Sequence, residues 1–251
     1  MQEINISHLV VNGCSFTYGD NLDDPSTQAW PALLANKLGV PVVNLAWGGS
    51  GNDRIYRRTV DYFFKDFGSD PFYVIGLSAS NRREEYDRKL GEFFHLNLIH
   101  SYEYTSRWQN QLLELLQRNA DPTVLAVNKF NMWLAIINLF KTTNTNYLIA
   151  DMMGIGHILD AEMKELYPKL YDYVMNDPNH LSSFTSLRPF DQLPCGHPNA
   201  VSQVRIAHYM YSELKKRYTV KITNSEHLTV KDFYTEMELQ LASNNNSAWI
   251  K

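Results

Sequence analysis

Residues 8–19 read HLVVNGCSFTYG, from His8 to Gly19. The apolar run over 8–12 predicts a buried strand, and Gly13 predicts a tight turn at its end. A serine directly after a buried strand, Ser15, has its hydroxyl and backbone N–H presented together. That suits a nucleophile that also donates to an oxyanion. A turn serine capping the next helix carries the same local signature. Phosphate-binding motifs do not fit the stretch. A P-loop needs Lys and Ser or Thr after its last glycine, whereas Gly19 is followed by Asp20 and Asn21. The dinucleotide pattern G-x-G-x-x-G is missing, and Gly48-Gly49-Ser50-Gly51-Asn52 does not make a G-x-S-x-G elbow.

Outward from this stretch, strand and helix signals alternate. Residues 40–45 (VPVVNL), 72–77 (FYVIGL) and 146–151 (NYLIAD) predict three more strands. Trp30, Leu33, Leu34 and Leu38 fall at helical spacing, with Ser26 and Thr27 as candidate caps and Gly39 as a stop. Helical patterns also cover 53–66, 106–118 and 122–142, and Val204, Ala207, Tyr211 and Leu214 mark a helix after Pro198. The pattern over 122–142 is rich in Leu, Ile, Phe and Trp and is expected to pack on the sheet. Such alternation predicts an α/β fold, a three-layer α/β/α sandwich with a mostly parallel sheet and ligands at the carboxyl ends of its strands. One domain is expected over residues 1–218, with 84–142 as a helical insertion able to form a lid. Residues 219–251 read as a polar extension. A helix near 229–242 would pack there on the domain or on a second copy, giving a homo-oligomer.

Composition narrows the function classes. Of 251 residues, 44% are hydrophobic and 13% aromatic, which excludes a disordered chain. Lys and Arg number 23 against 27 Asp and Glu, so no basic footprint for nucleic acid exists. The most apolar stretch, 133–140, contains Asn138 and is too short to span a membrane. No secretory signal is read at the N-terminus, and two cysteines exclude a disulfide scaffold, so a cytoplasmic location is expected. The eight histidines show no metal-motif spacing, and neither a metal nor an organic cofactor is expected.

Three segments follow predicted strands, and one histidine precedes the last helix. After the first strand comes Ser15; after the second, the loop Asn44-Leu45-Ala46-Trp47-Gly48-Gly49-Ser50-Gly51-Asn52-Asp53. Its glycines permit close approach of backbone to a bound group. After the third strand, Ser78-Ala79-Ser80-Asn81-Arg82-Arg83-Glu84 offers the Asn81 amide as a donor. His197 lies in Cys195-Gly196-His197-Pro198-Asn199, and histidine is the natural general base near neutral pH.

Together, GCSFTYG, NLAWGGSGND, LSASNR and GHPN, in that order over roughly residues 8–217, resemble the SGNH hydrolase superfamily of GDSL-type esterases. The closest likeness is to a divergent branch seen in bacterial and tailed-phage genomes. The resemblance implies a flavodoxin-like sheet and a serine esterase that needs no cofactor. Ser15 would be the nucleophile and His197 the base, with Ser15, Gly49 and Asn81 forming the oxyanion hole. It implies carboxylic esters as substrates, O-acetyl groups on carbohydrate or small acyl esters, with Tyr18, Trp47 and Asn52 as candidate substrate-binding residues and Trp30 as a further ring nearby. Three residues before the histidine, family members carry Asp; here Pro194 occupies that position. Asp191 is the nearest upstream acid, so the implied site is either a triad with Asp191 or a Ser–His dyad oriented by a backbone carbonyl. Cys14 and Cys195 flank nucleophile and base and are either small buried hydrophobes or a redox-sensitive disulfide. A non-catalytic glycan-binding or structural relative is the alternative, with Arg82, Arg83, Glu84 and Glu85 as an ion-paired, solvated loop.

Overall fold

In a computed structural model describing residues 2–66, 69–98, 104, 106–153, 157–181 and 192–222, the chain opens with strands β1 (Gln2–Ile6) and β2 (His8–Asn12). Helices α1 (Ser15–Tyr18), α2 (Pro25–Gln28) and α3 (Trp30–Leu38) follow, then β3 (Val42–Asn44), α4 (Asn52–Lys65) and β4 (Pro71–Leu77). The middle contains β5 (Arg82–Asp87), β6 (Glu92–Asn97), α5 (Arg107–Arg118), α6 (Pro122–Thr142) and β7 (Asn146–Asp151). Next come α7 (His157–Leu166), α8 (Pro168–Met175), α9 (Ala200–Arg217) and β8 (Tyr218–Ile222).

The predicted strands assemble into one sheet of order β3-β2-β4-β7, parallel throughout. The Ile149 N–H donates to the Asn179 carbonyl and the Leu181 N–H to the Ile149 carbonyl, at 2.9 and 2.8 Å. Together with a parallel bridge from Ile149 to His180, these bonds set a rudimentary fifth strand beside β7. By order of appearance the sheet is then 2-1-3-4-5, the flavodoxin-like arrangement.

Strand alternation divides the interior between two faces. Leu9, Val11, Phe72, Val74, Leu148 and Ala150 join Trp30 and Leu34 of α3 and Ile206 and Met210 of α9 on one face. Val10, Tyr73, Ile75, Tyr147 and Ile149 pack on Ile55 and Phe63 of α4 and on α6 and α8 on the other. The fold is therefore a three-layer α/β/α sandwich. α6 starts at Pro122, with the Asp121 carboxylate accepting from the Thr123 and Val124 N–H groups. By length and composition α6 is apolar enough to cross a membrane. Its stripe of Ala126, Phe130, Trp133, Ile137 and Phe140 is instead spent on the sheet.

Several expectations need correction. The insertion at 84–142 is not all helical, because β5 and β6 form an antiparallel hairpin with Arg82 opposite Asn97 and Asp87 opposite Glu92. Arg82–Asp87 is almost wholly charged and shows no apolar alternation, yet Glu84 faces inward to an arginine pair. Phe94, Leu96 and Leu98 then build a small separate core with Leu113 of α5. The boundary at 219 falls inside β8, which pairs in parallel with β1. β1 looks polar in sequence because Gln2, Glu3 and Asn5 are exposed while only Ile4 and Ile6 are buried. Asp24, not Ser26 or Thr27, caps α2, and the Trp30 N–H that opens α3 donates to Gln203 Oε1 of α9 at 2.9 Å. The strand expected over 40–45 is only Val42–Asn44. The helix expected near 229–242, and any oligomer contact through it, lie outside the described residues.

Candidate active site

Ser15 is the first residue of α1, with Cys14 at the N-cap making no side-chain cap. Its backbone N–H belongs to the first turn, where donors lack an intrahelical acceptor. Glycines fix the position of this turn. A Cβ on Gly13 would lie 2.3 Å from Thr17 Oγ1, and one on Gly76 would lie 2.7 Å from the same atom. Thr17 therefore packs against bare backbone, locking α1 onto the end of β4. Ser15 is only 3% exposed, and its Oγ has no hydrogen-bond partner among the described residues.

The loop after β3 is tied to this turn by the Trp47 N–H, which donates to the Gly13 carbonyl at 3.2 Å. Gly49 has φ 73°, a left-handed conformation that favours glycine, and its N–H makes no hydrogen bond among the described residues. Asn81 gives one amide hydrogen to Asn97 Oδ1 at 2.5 Å, and its carbonyl accepts from the Leu98 N–H. Ser15 and Gly49 thus lie on adjoining loops at the carboxyl end of the sheet, with Asn81 on the turn after β4. Asn52 is held from within the protein. Its amide donates to the Ser78 and Ala79 carbonyls at 3.0 and 3.3 Å, and its Oδ1 accepts from the Ser78 N–H at 2.8 Å. It joins the start of α4 to the end of β4 and is 4% exposed. Tyr18 and Trp47 do come together, with ring centroids 5.7 Å apart, while Trp30 is fully buried in the core.

His197 sits in a turn closed by the Leu193 N–H donating to its carbonyl at 2.8 Å. Asn199 then caps α9 by accepting from the Ser202 N–H at 3.0 Å. The imidazole packs edge-on against Phe16, centroids 5.7 Å apart, so it lies beside the residue next to Ser15. No hydrogen bond joins it to the Ser15 hydroxyl. Its Nδ1 is 3.3 Å from the Asn21 amide nitrogen and 3.3 Å from Cys195 Sγ. Burial, then the nearby Arg82 cation, hold its pKa below the usual histidine value. Asp191 lies outside the described residues. Cys14 is buried and Cys195 exposed, and both are free thiols, so there is no disulfide between them.

Four further residues complete the surroundings. The Asp20 carboxyl abuts Gly48, where a Cβ would lie 2.5 Å from its Oδ2. Burial pushes its pKa up to about 6, against the opposing pull of Arg82. Burial and the Asp20 charge raise Tyr18. His95, on β6 beside Gly49, is pushed down to about 3 by burial and then by Arg54, Arg57 and Arg82. Among the described residues Arg82 makes one long hydrogen bond, 3.5 Å to Ser78 Oγ. Asn21 and Asp20 were visible in sequence only as residues that spoil a P-loop. Arg82 and His95 carried no signal, because a hairpin brings them to the site. The charged run is also not a solvated face: the Glu84 side chain is 3% exposed and takes two 2.8 Å hydrogen bonds from Arg57.

Two cavities flank the site. One of about 260 Å³ is lined by residues including Asn52, Asp53, Ser80, Arg82, Lys129 and Met132. Another, of about 250 Å³, lies beside Asn21, Leu22, Leu193, Asn199 and Val201. Among the described residues no group of His, Cys, Asp or Glu could hold a metal ion.

No protein-family profile matches the chain, and no curated protein matches it in sequence. Solved structures do. A protein assigned to the lipolytic G-D-S-L family from Desulfitobacterium hafniense superposes with a TM-score of 0.50 at 15% identity, covering 83% of this chain and 99% of its own. A psychrotrophic esterase from Pseudoalteromonas gives 0.49 at 14% identity, with 84% and 98% covered. A GDSL-like lipase from Bacteroides thetaiotaomicron gives 0.48 at 10% identity, with 84% and 89% covered. With the flavodoxin-like sheet order, the likeness to the first of these establishes that the chain has the fold of the SGNH, or GDSL-type, hydrolases.

Proposed function

We propose that the chain is a carboxylic ester hydrolase, working through an acyl-enzyme on Ser15 with His197 as base. The observation that carries this reading is the strand-end cluster: among the described residues, a serine with no hydrogen-bond partner for its Oγ, an uncommitted N–H at Gly49, and an imidazole whose pKa burial and Arg82 hold down. His197 takes the Ser15 proton as Oγ attacks the ester carbonyl. The N–H groups of Ser15 and Gly49, with the second amide hydrogen of Asn81, receive the developing oxyanion. His197 then protonates the leaving alcohol and activates the water that releases the acid. The charged lining of the larger cavity favours a polar alcohol over a lipid chain. O-acetyl groups on carbohydrate fit that polarity, and the Tyr18–Trp47 pair offers a surface for a sugar ring.

Hydrolysis of 4-nitrophenyl acetate and butyrate by the parent chain, Ser15→Ala and His197→Ala tests the reading. Turnover abolished in both variants is the expected result, and turnover unchanged in Ser15→Ala would sink it. One observation favours a second reading, a glycan-binding protein without catalysis: Ser15 is closed to solvent and not bonded to His197. Saturable glycan binding with no ester turnover would decide for it.

A further inference from the structure

Resting on the esterase reading, we propose that the cavity beside Arg82 receives a carboxylate carried on the alcohol portion of the substrate, so that acidic esters are the preferred class. The argument is a charge balance around the 260 Å³ cavity. Lys129, with a side chain 1% exposed, reaches Asp151 Oδ2 at 2.7 Å. Glu84 is held by Arg57 at 2.8 Å and by Arg54 at 3.7 Å. Arg83 pairs with Glu85 at 3.5 Å. Asp53 accepts the Arg54 and Glu84 N–H groups at 2.8 and 2.6 Å. Each of these charges has its partner within the protein.

Arg82 does not. Arg82 lines the same cavity, and among the described residues no carboxylate lies within 4.0 Å of its guanidinium, which makes a single 3.5 Å bond among them, to Ser78 Oγ. Asp20 feels its charge from farther away. A guanidinium presents a planar fork of donors that matches a carboxylate with two parallel hydrogen bonds. The walls around it are held from within, since Asn52 and Lys129 are buried and hydrogen-bonded to the protein. Arg82 and Ser80, which both line the cavity, flank Asn81 in the chain, so an acid bound there is held beside the amide proposed for the oxyanion hole. The cavity volume suits one small acid-bearing ring, with Leu125 and Met132 supplying an apolar wall.

The test uses the full chain and a matched pair with the same acyl group, 4-nitrophenyl acetate and 3-carboxy-4-nitrophenyl acetate. The ratio of their kcat/KM values is compared in the parent, Arg82→Gln and Arg82→Lys. The ratio of acidic to neutral ester is expected to fall at least 10-fold in Arg82→Gln, through KM rather than kcat, and less than 3-fold in Arg82→Lys. An unchanged ratio in Arg82→Gln overturns the proposal. Calorimetric binding of 3-carboxy-4-nitrophenol against 4-nitrophenol supplies the arm independent of turnover. If neither ester is hydrolysed, the esterase reading has failed. Tighter binding of the acid that is lost in Arg82→Gln then still upholds the carboxylate site, and equal binding of the two phenols overturns it.

Discussion

Asn21 sets its side-chain amide 3.3 Å from Nδ1 of His197, from a backbone held at φ 66°. An orienting carboxylate normally occupies that side of a catalytic imidazole. If the amide oxygen faces the ring it accepts Nδ1–H and leaves Nε2 free as the base; if the amide nitrogen faces it, the proton sits on Nε2. Only the first arrangement serves Ser15. Asn21→Gly keeps the left-handed backbone and removes the amide. We expect kcat to fall about 10-fold, the scale of one neutral hydrogen bond, with KM little changed. Asn21→Asp should restore kcat and move the rising limb of the pH profile upward, because a carboxylate favours the imidazolium. Steady-state kinetics across pH check this, and an unchanged kcat in Asn21→Gly would remove Asn21 from the site.

Asp20 makes a prediction about stability. Its carboxyl titrates near pH 6 when folded and near 3.8 when unfolded. The folded chain therefore binds more protons between those values, and stability falls as pH rises through them. Above pH 6 the loss is complete, up to about 3 kcal/mol. Asp20→Asn should raise Tm at pH 8 and give no advantage at pH 4. Thermal melts at the two pH values measure it, and equal gains at both would refute the assignment.

The two thiols should differ sharply. Cys195 is exposed beside His197, and Cys14 is fully buried. A native chain is expected to titrate one thiol quickly with a thiol-specific reagent and the second only after denaturation. Alkylation of the first should depress ester turnover by crowding the imidazole, an effect absent in Cys195→Ser. Two fast thiols, or none, would contradict the structure.

Gly13→Ala tests the seat of α1. Its new methyl would meet Thr17 Oγ1 at 2.3 Å and the Gly76 carbonyl at 3.0 Å. Overpacking of this kind costs about 1–3 kcal/mol. The double variant Gly13→Ala/Thr17→Ala should recover part of that loss, which denaturant unfolding of the four-member cycle would reveal. Strict additivity would show that Thr17 is not what the methyl meets.

The sheet was legible where burial on both faces leaves an unbroken apolar run, as in 8–12, 72–77 and 146–151. β1 was illegible because only Ile4 and Ile6 turn inward, and β5 because its inward residue is a glutamate satisfied by arginines. The turns that carry Ser15, Gly49 and His197 were legible because each has a local signature. Arg82 and Asn21 were not, since their meaning depends on which distant side chains they meet. The bonds of Asn52 were illegible for the same reason: its partners at Ser78 belong to another strand end.

The parallel pairing of Gln2–Ile6 with Tyr218–Ile222 has a bearing on how the chain is made. β1 emerges long before its partner β8, and until then Ile4 and Ile6 have no cover on that side. Closure of so long a loop is entropically late. On the ribosome the four central strands can assemble while the helix behind His197 is still emerging, so the imidazole is set in place only as β8 docks beside β1. Trimming residues 2–6 would loosen that helix from its far end, and a lesion remote from the chemistry would be felt at the imidazole.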